Sequence, residues 1–306
     1  MRLALALTLA LSIALAVAPA ASAQGGATPT YPDAVVLVSG YNSSSAFTGP
    51  DPACAGKEGD TWSNPAGPAA ALRAAGMNVF TAPVRRGTDT PVPACTSAGA
   101  PVPPAVDYID SYGDLDDNGA VLANFLAFLR ANYGVQRIQL VAHSNGGNWS
   151  RAALTQNAAF AGLEVRSLTT LGTPYIGSFM ADLAVELNDG KCDFSDRIEQ
   201  ALCDAVIGII RKVFADSGPT TIKELTHTYL ETWNDDQRIG SCPVTTVAGT
   251  YLKIPLVPFT YYSPSDGLVG EASGLAHSAY DISLDLIPAP YIPGLRSGVP
   301  FPVVHS

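Results

Sequence analysis

Apolar and polar positions along this chain of 306 residues fall into blocks of two kinds. Ala34-Val-Val-Leu-Val38, closed by Ser39-Gly40, is a short apolar run of the kind that forms a buried strand. A loop rich in Gly, Pro and Ser comes next. Residues 68–75 read as a helix closed by Gly76, and residues 78–84 as a second strand. Residues 85–113 form another loop, dense in proline. From Asn118 to Tyr133 apolar residues stand at 121, 122, 125, 126, 128 and 129, a helical period that Gly134 stops. Residues 137–142 are the next buried strand. The chain then turns sharply at His143-Ser144-Asn145-Gly146-Gly147 and enters a helix that runs to about residue 160. Residues 165–171 make a further strand. This alternation of strand and helix predicts an α/β fold, a mostly parallel sheet with helices on both faces. A mostly helical stretch over 176–240 interrupts it in the position of a cap or lid, and strand pattern resumes over 244–251. The tail from Pro288 is rich in proline and reads as extended.

The N-terminus is a different kind of segment. Arg2 precedes an apolar run from Leu3 to Val17, and Ala21-Ser22-Ala23 reads as a cleavage site before Gln24. That is the pattern of a secretory signal peptide, residues 1–23, leaving 24–306 as one catalytic-sized domain. No other stretch is long and apolar enough for a membrane span. The formal charge is −10, and loss of Arg2 with the leader takes it to −11. Such an acidic chain is a poor electrostatic match for nucleic acid or an anionic membrane. Export places the five cysteines in an oxidising compartment. Sequence neighbourhood suggests a Cys54–Cys95 bridge and a second pair within Cys192, Cys203 and Cys242, with one thiol left over. No CxxC spacing points to zinc.

The sharpest chemical signal is Gln139-Leu-Val-Ala-His-Ser144-Asn-Gly-Gly147. A serine hydroxyl becomes a good nucleophile only when a base takes its proton. A tight strand-to-helix turn lifts it above a sheet, and small residues two before and two after it relieve backbone crowding. Ala142 and Gly146 occupy those positions. The helix beginning near Asn145 directs its N-terminus at the site, favouring developing negative charge.

The segment resembles the nucleophile elbow of secreted bacterial lipases and esterases of the α/β-hydrolase fold. Val36-Leu-Val-Ser-Gly-Tyr41 resembles their first-strand segment, which ends in His-Gly where this chain has Ser39-Gly40. Leu171-Gly-Thr-Pro174 with Gly177-Ser178 resembles the segment after a later strand. Tyr261-Tyr-Ser263 and Ser265-Asp-Gly-Leu-Val-Gly270 resemble the loop that carries the acid. The resemblance implies a carboxylic-ester hydrolase with a Ser-His-Asp triad and an acyl-enzyme intermediate; no cofactor is required, and no aspartate can be matched to the calcium site of some similar lipases. In that fold the chain order is serine, acid, histidine, which nominates Ser144, then Asp266. His143 adjoins the nucleophile and cannot fold back onto it, and His227 precedes Asp266. His277 lies only 11 residues beyond Asp266, too few for an intervening helix and strand, whereas His305 lies 39 beyond it. His305 is therefore the expected base and His277 its alternative. The oxyanion donors expected are the backbone N–H groups of Asn145 and Tyr41.

Other readings stay in play. A cutinase-like polyester depolymerase or an acyltransferase would use the same triad, and a binding protein could keep the fold without turnover. Within 176–240, Ile198, Leu202, Val206, Ile209, Ile210 and Val213 share a helical face that suits either a lipid-facing lid or ordinary packing. Asp114-Leu-Asp-Asp-Asn-Gly119 copies half of a calcium loop, but Phe125 stands where that loop needs Glu. These carboxylates more simply form the acidic start of the helix beside them.

Overall fold

The apolar run after Pro32 forms the strand on which the candidate site is built. In β1 (Asp33–Val38), residues 35–38 are at most 2% exposed. Each such aliphatic side chain contributes about 2 kcal/mol through removal from water. The computed structural model describes residues 30–155, 162–188, 208, 214, 218–236, 242–247, 252–256 and 259–263. Two units are distinguished by their internal contacts: the chain up to Thr170 with Ile239–Thr245, and Leu171–Arg238 with the chain from Thr246.

In the first unit β1 is followed by α1 (Pro68–Ala74), β2 (Val79–Thr81), β3 (Val84–Arg85), β4 (Ile109–Asp110), α2 (Leu115–Tyr133), β5 (Arg137–His143), α3 (Gly146–Thr155) and β6 (Glu164–Leu171). With β7 (Val244–Val247) the main sheet has the order β2-β1-β5-β6-β7. β1 pairs in parallel with both β2 and β5. Parallel neighbours need long crossovers, and helices α1 and α2 lie in the connections that supply them. This is the α/β class expected from the alternation, and the strand–serine–helix junction fits the α/β-hydrolase type.

The register between β1 and β5 sets which loop residues meet at their ends. Asp33 stands opposite Arg137 and Val38 opposite Ala142. The Arg137 guanidinium donates to both carboxylate oxygens of Asp33 and holds that carboxyl below its ordinary range. The pair is about a third exposed and contributes little to stability. Its geometry nevertheless agrees with the alignment that brings Ser39-Gly40 level with His143-Ser144.

Several expectations are refined. Residues 85–113 contain β4, paired in parallel with β3, too short for any periodicity to reveal. α2 begins at Leu115, earlier than its apolar period, because the Asp114 side chain caps it by accepting from the Asp116 and Asp117 N–H groups at 2.9 and 3.4 Å. Asn118 donates to the Asp110 carbonyl at 2.7 Å and accepts from its N–H at 3.1 Å, tying the helix to β4. The acidic segment is thus a helix start. Cys54 and Cys95 form the expected disulfide. Cys242 is a free buried thiol whose pKa burial pushes up to about 11. Cys192 and Cys203 lie outside the described residues, as does the N-terminal segment 1–23. Among the described residues no helix is long and apolar enough to cross a membrane.

The second unit holds α4 (Phe179–Asn188), α5 (Pro219–Glu224), α6 (His227–Asp236) and the antiparallel pair β8 (Leu252–Leu256) and β9 (Phe259–Ser263). Most of the described residues within 176–240 are helical. The face defined by Ile198, Leu202, Val206, Ile209, Ile210 and Val213 lies outside the described residues. β7 covers the start of the expected 244–251 strand, whose remaining residues 248–251 are also outside them. Tyr261-Tyr-Ser263, expected in a loop, is strand β9. Pro255, which pairs with Thr260 in the hairpin, is what makes a strand hard to read there.

Candidate active site

Ser144 stands between β5 and α3 with φ 54°, in the left-handed region that a non-glycine residue rarely adopts. The turn is forced from both sides by backbone. A Cβ on Gly146 would overlap the Ser39 carbonyl oxygen and lie 2.8 Å from that of Val38. A Cβ on Gly40 would lie 2.5 Å from the His143 carbonyl oxygen, 2.6 Å from Ser144 Cβ and 2.9 Å from Asn145 N. Only glycine allows either approach. The end of β1 is therefore pressed against the serine turn, with Gly40 beside the Asn145 amide.

α3 continues directly from the turn and is buried on every side from Gly146 to Leu154. Its first turn is closed by Gly147 N–H donating to the Ser144 carbonyl and Trp149 N–H donating to that of Asn145, each at 3.0 Å. Ser150 Oγ donates to the Gly146 carbonyl at 2.7 Å. The amide hydrogens that open a helix have no acceptor within it, and they carry the positive end of its dipole. The Asn145 side chain accepts from Asn148 Nδ2 at 3.1 Å, so its conformation is set on the helix side of the turn. His143 meets the buried Trp62 ring edge-on, with centroids 6.5 Å apart. Ser144 is 5% exposed and Asn145 1%.

The loop after β1 is held at several points. Residues 40–43 form a turn with Tyr41 and Asn42 at its centre, and Asn42 takes φ 53°, the conformation the second central position of a type II turn requires. The Ser43 hydroxyl donates to the Gly40 carbonyl oxygen. Arg86 Nε donates to the Asn42 carbonyl at 3.0 Å, and the same guanidinium pairs with Asp60. Tyr112 OH donates to Asn42 Oδ1 at 2.7 Å, and its ring lies 5.5 Å from that of Tyr41. Farther along, Ser45 bridges to both Gly59 and Val84. The adjoining 48–58 segment is fixed by the buried Arg73–Glu58 ion pair at 3.1 Å and by the Cys54–Cys95 disulfide.

Ser144, Asn145 and Tyr41 are thus gathered at the β1 and β5 ends of the first unit, Tyr41 through its neighbour Gly40. Asp266, His277 and His305 lie outside the described residues. Sequence reasoning misses Ser43, Asn42, Arg86 and Tyr112. The one available signal is Asn after Gly-Tyr, a residue that tolerates positive φ in a turn.

Within the second unit lies His227, which its order relative to Asp266 excludes as the base. Asp182 in α4 bonds to His227 at the start of α6 through both carboxylate oxygens. One accepts the His227 backbone N–H at 2.9 Å and the other meets Nδ1. That hydrogen bond, opposed by burial, raises the imidazole pKa above its ordinary value. Gly177 packs against the His227 backbone and ring.

No protein-family model and no curated protein sequence matches the chain. Among solved structures it is similar to the mature form of the Bacillus licheniformis lipase BlEst2, with 21% identity, 84% of each chain covered and a TM-score of 0.49. It is also similar to the Staphylococcus hyicus lipase, with 16% identity, 83% of this chain and 82% of that one covered, and a TM-score of 0.42. For lipase 1 from Pelosinus fermentans the identity is 16%, the coverage 74% of this chain and 71% of that one, and the TM-score 0.36.

Proposed function

We propose that the protein is an exported serine hydrolase acting on carboxylic esters, with Ser144 as nucleophile. The observation that carries this is the left-handed serine between a buried strand and a buried helix, with Gly40 and Gly146 packed against it by backbone. A non-glycine residue is held in that conformation only when its surroundings impose it, and such strain concentrates at reactive groups. The export leader read at residues 1–23 and the Cys54–Cys95 disulfide support an extracellular setting.

In this reading His305 takes the Ser144 proton as the oxygen attacks the ester carbonyl, and Asp266 orients the imidazole and stabilises its protonated form. The N–H groups of Asn145 and Tyr41 receive the negative oxygen of the tetrahedral intermediate. The C–O bond to the alcohol breaks as the imidazolium returns its proton to the leaving oxygen. Water, deprotonated by the same base, then cleaves the acyl-serine. Residues 24–306 form the catalytic domain, with 176–240 inserted as its cap.

The test is hydrolysis of p-nitrophenyl esters of short and long acyl chain by the wild-type protein and Ser144→Ala. The variant should stay folded and lose activity by at least about a thousandfold. Retained turnover above that level would refute the nucleophile. A preference across chain lengths separates short-ester from lipid substrates.

A further inference from the structure

We propose that Ser43 is a positioning residue for the oxyanion hole, acting through the Gly40–Tyr41 peptide. The inference rests on the reading of Ser144 as nucleophile and of the Tyr41 N–H as an oxyanion donor, and it identifies what aims that donor.

A trans peptide is a rigid plate whose carbonyl and N–H point in opposite directions. Fixing the Gly40 carbonyl therefore fixes the direction of the Tyr41 N–H. That carbonyl is held by the Ser43 hydroxyl, which is 6% exposed and reaches back three residues to donate to it. Glycine at position 40 tolerates almost any backbone angle, so its own φ and ψ do little to hold the plate. On the reading that the Tyr41 N–H lines the oxyanion hole, a flip of this peptide would exchange N–H for C=O there. A carbonyl there would repel the developing oxyanion instead of accepting it.

The position of the plate is fixed separately. Gly40 is wedged against His143, Ser144 and Asn145, so the peptide cannot slide away. Asn42 is braced from outside through its own carbonyl by Arg86 and through its side chain by Tyr112. Those contacts hold the far half of the turn, and neither reaches the Gly40 carbonyl. Location thus comes from glycine packing and the outer braces, and orientation from the 40–43 turn reinforced by one buried hydroxyl. An aimed N–H is used more by the developing oxyanion than by the ground-state ester carbonyl. Loss of that aim should appear where the donor is used, in kcat more than in KM.

The experiment compares Ser43→Thr with Ser43→Val, a pair of nearly equal volume that differs in the hydroxyl, with Ser43→Ala alongside. Each is measured for kcat and KM on p-nitrophenyl butyrate and for inhibition by an alkylboronic acid, whose tetrahedral adduct presents a negative oxygen. Ser43→Thr should stay within about threefold of wild type. Ser43→Val and Ser43→Ala should lose about tenfold or more in kcat with KM within about threefold, and boronate affinity should fall in parallel. Equal kcat for the Thr and Val variants would overturn the proposal, whether both are active or both are impaired. So would loss confined to KM or an unchanged boronate affinity. If Val and Ala fail to fold, Ser43→Cys decides, because its thiol is only a weak donor: a kcat equal to that of Ser43→Thr overturns the proposal. Failure of Ser43 while Ser144→Ala remains inactive removes this inference alone. An active Ser144→Ala removes the underlying reading.

Discussion

The turn around Ser144 and the pair formed by Asp182 with His227 are both local constructions, yet they are built from different material. At Ser144 the constraint is backbone against backbone: Gly40 and Gly146 are places where no side chain fits. At Asp182 it is a carboxylate against the His227 ring and backbone N–H, between residues 45 apart in sequence, and the His227 side chain remains 47% exposed. Backbone packing of the first kind tolerates no substitution and leaves a trace in composition. An exposed ion pair of the second kind contributes little and leaves none. The difference separates a feature that must be made this way from one that is merely made this way.

The largest effect that sharpens the contrast concerns the base. His305→Ala should reduce ester hydrolysis by about four orders of magnitude, whereas His277→Ala and His227→Ala should keep most of it. Steady-state kinetics on the three variants decide the matter. Loss at His277 would transfer the role there and leave Ser144 and Asp266 in place. Loss at His227 would contradict the order that nominates Asp266 as the acid.

Next in size is Gly40→Ala. The added methyl would collide with the His143 carbonyl oxygen and crowd the Asn145 amide, neither of which can swing aside like a flexible side chain. Activity should fall by about a hundredfold, mainly in kcat, with a lowered melting temperature. An active and equally stable Gly40→Ala protein would show that the two backbones do not meet as described.

The smallest effect lies in the second unit. His227 has its pKa raised by the Asp182 hydrogen bond. A raised folded value means the stabilisation is fully present below the ordinary histidine pKa of about 6.5. It is then lost as pH rises through the higher folded value. The melting temperature of Asp182→Asn should therefore trail wild type by about 2 °C near pH 6, and the gap should shrink above neutrality. A gap that widens with pH would contradict the assigned sign.

The same contrast explains what is legible in the sequence. β1 and β5 are readable because residues 34–38 and 138–142 are continuous apolar or largely apolar runs, as strands buried on both faces must be. The serine turn is readable because steric crowding leaves few residue choices at 40 and 146. β4 is not, since two residues carry no period. β9 is hidden by the prolines at 255 and 258, which argue against a strand nearby. Ser43 and Arg86 escape because a side chain bonding to a carbonyl is satisfied by many residue types and marks no pattern. Asp182 escapes because ranking histidines by their order relative to Asp266 leaves earlier acids out of account.

The most direct test of the central claim is covalent labelling of the intact wild-type protein with a fluorophosphonate, followed by mass mapping of the adduct. Only a serine activated by a neighbouring base reacts quickly with such a probe. A single adduct on Ser144, absent from Ser144→Ala, is the predicted result. An adduct on a different serine, or a folded protein that takes up no probe, would contradict it.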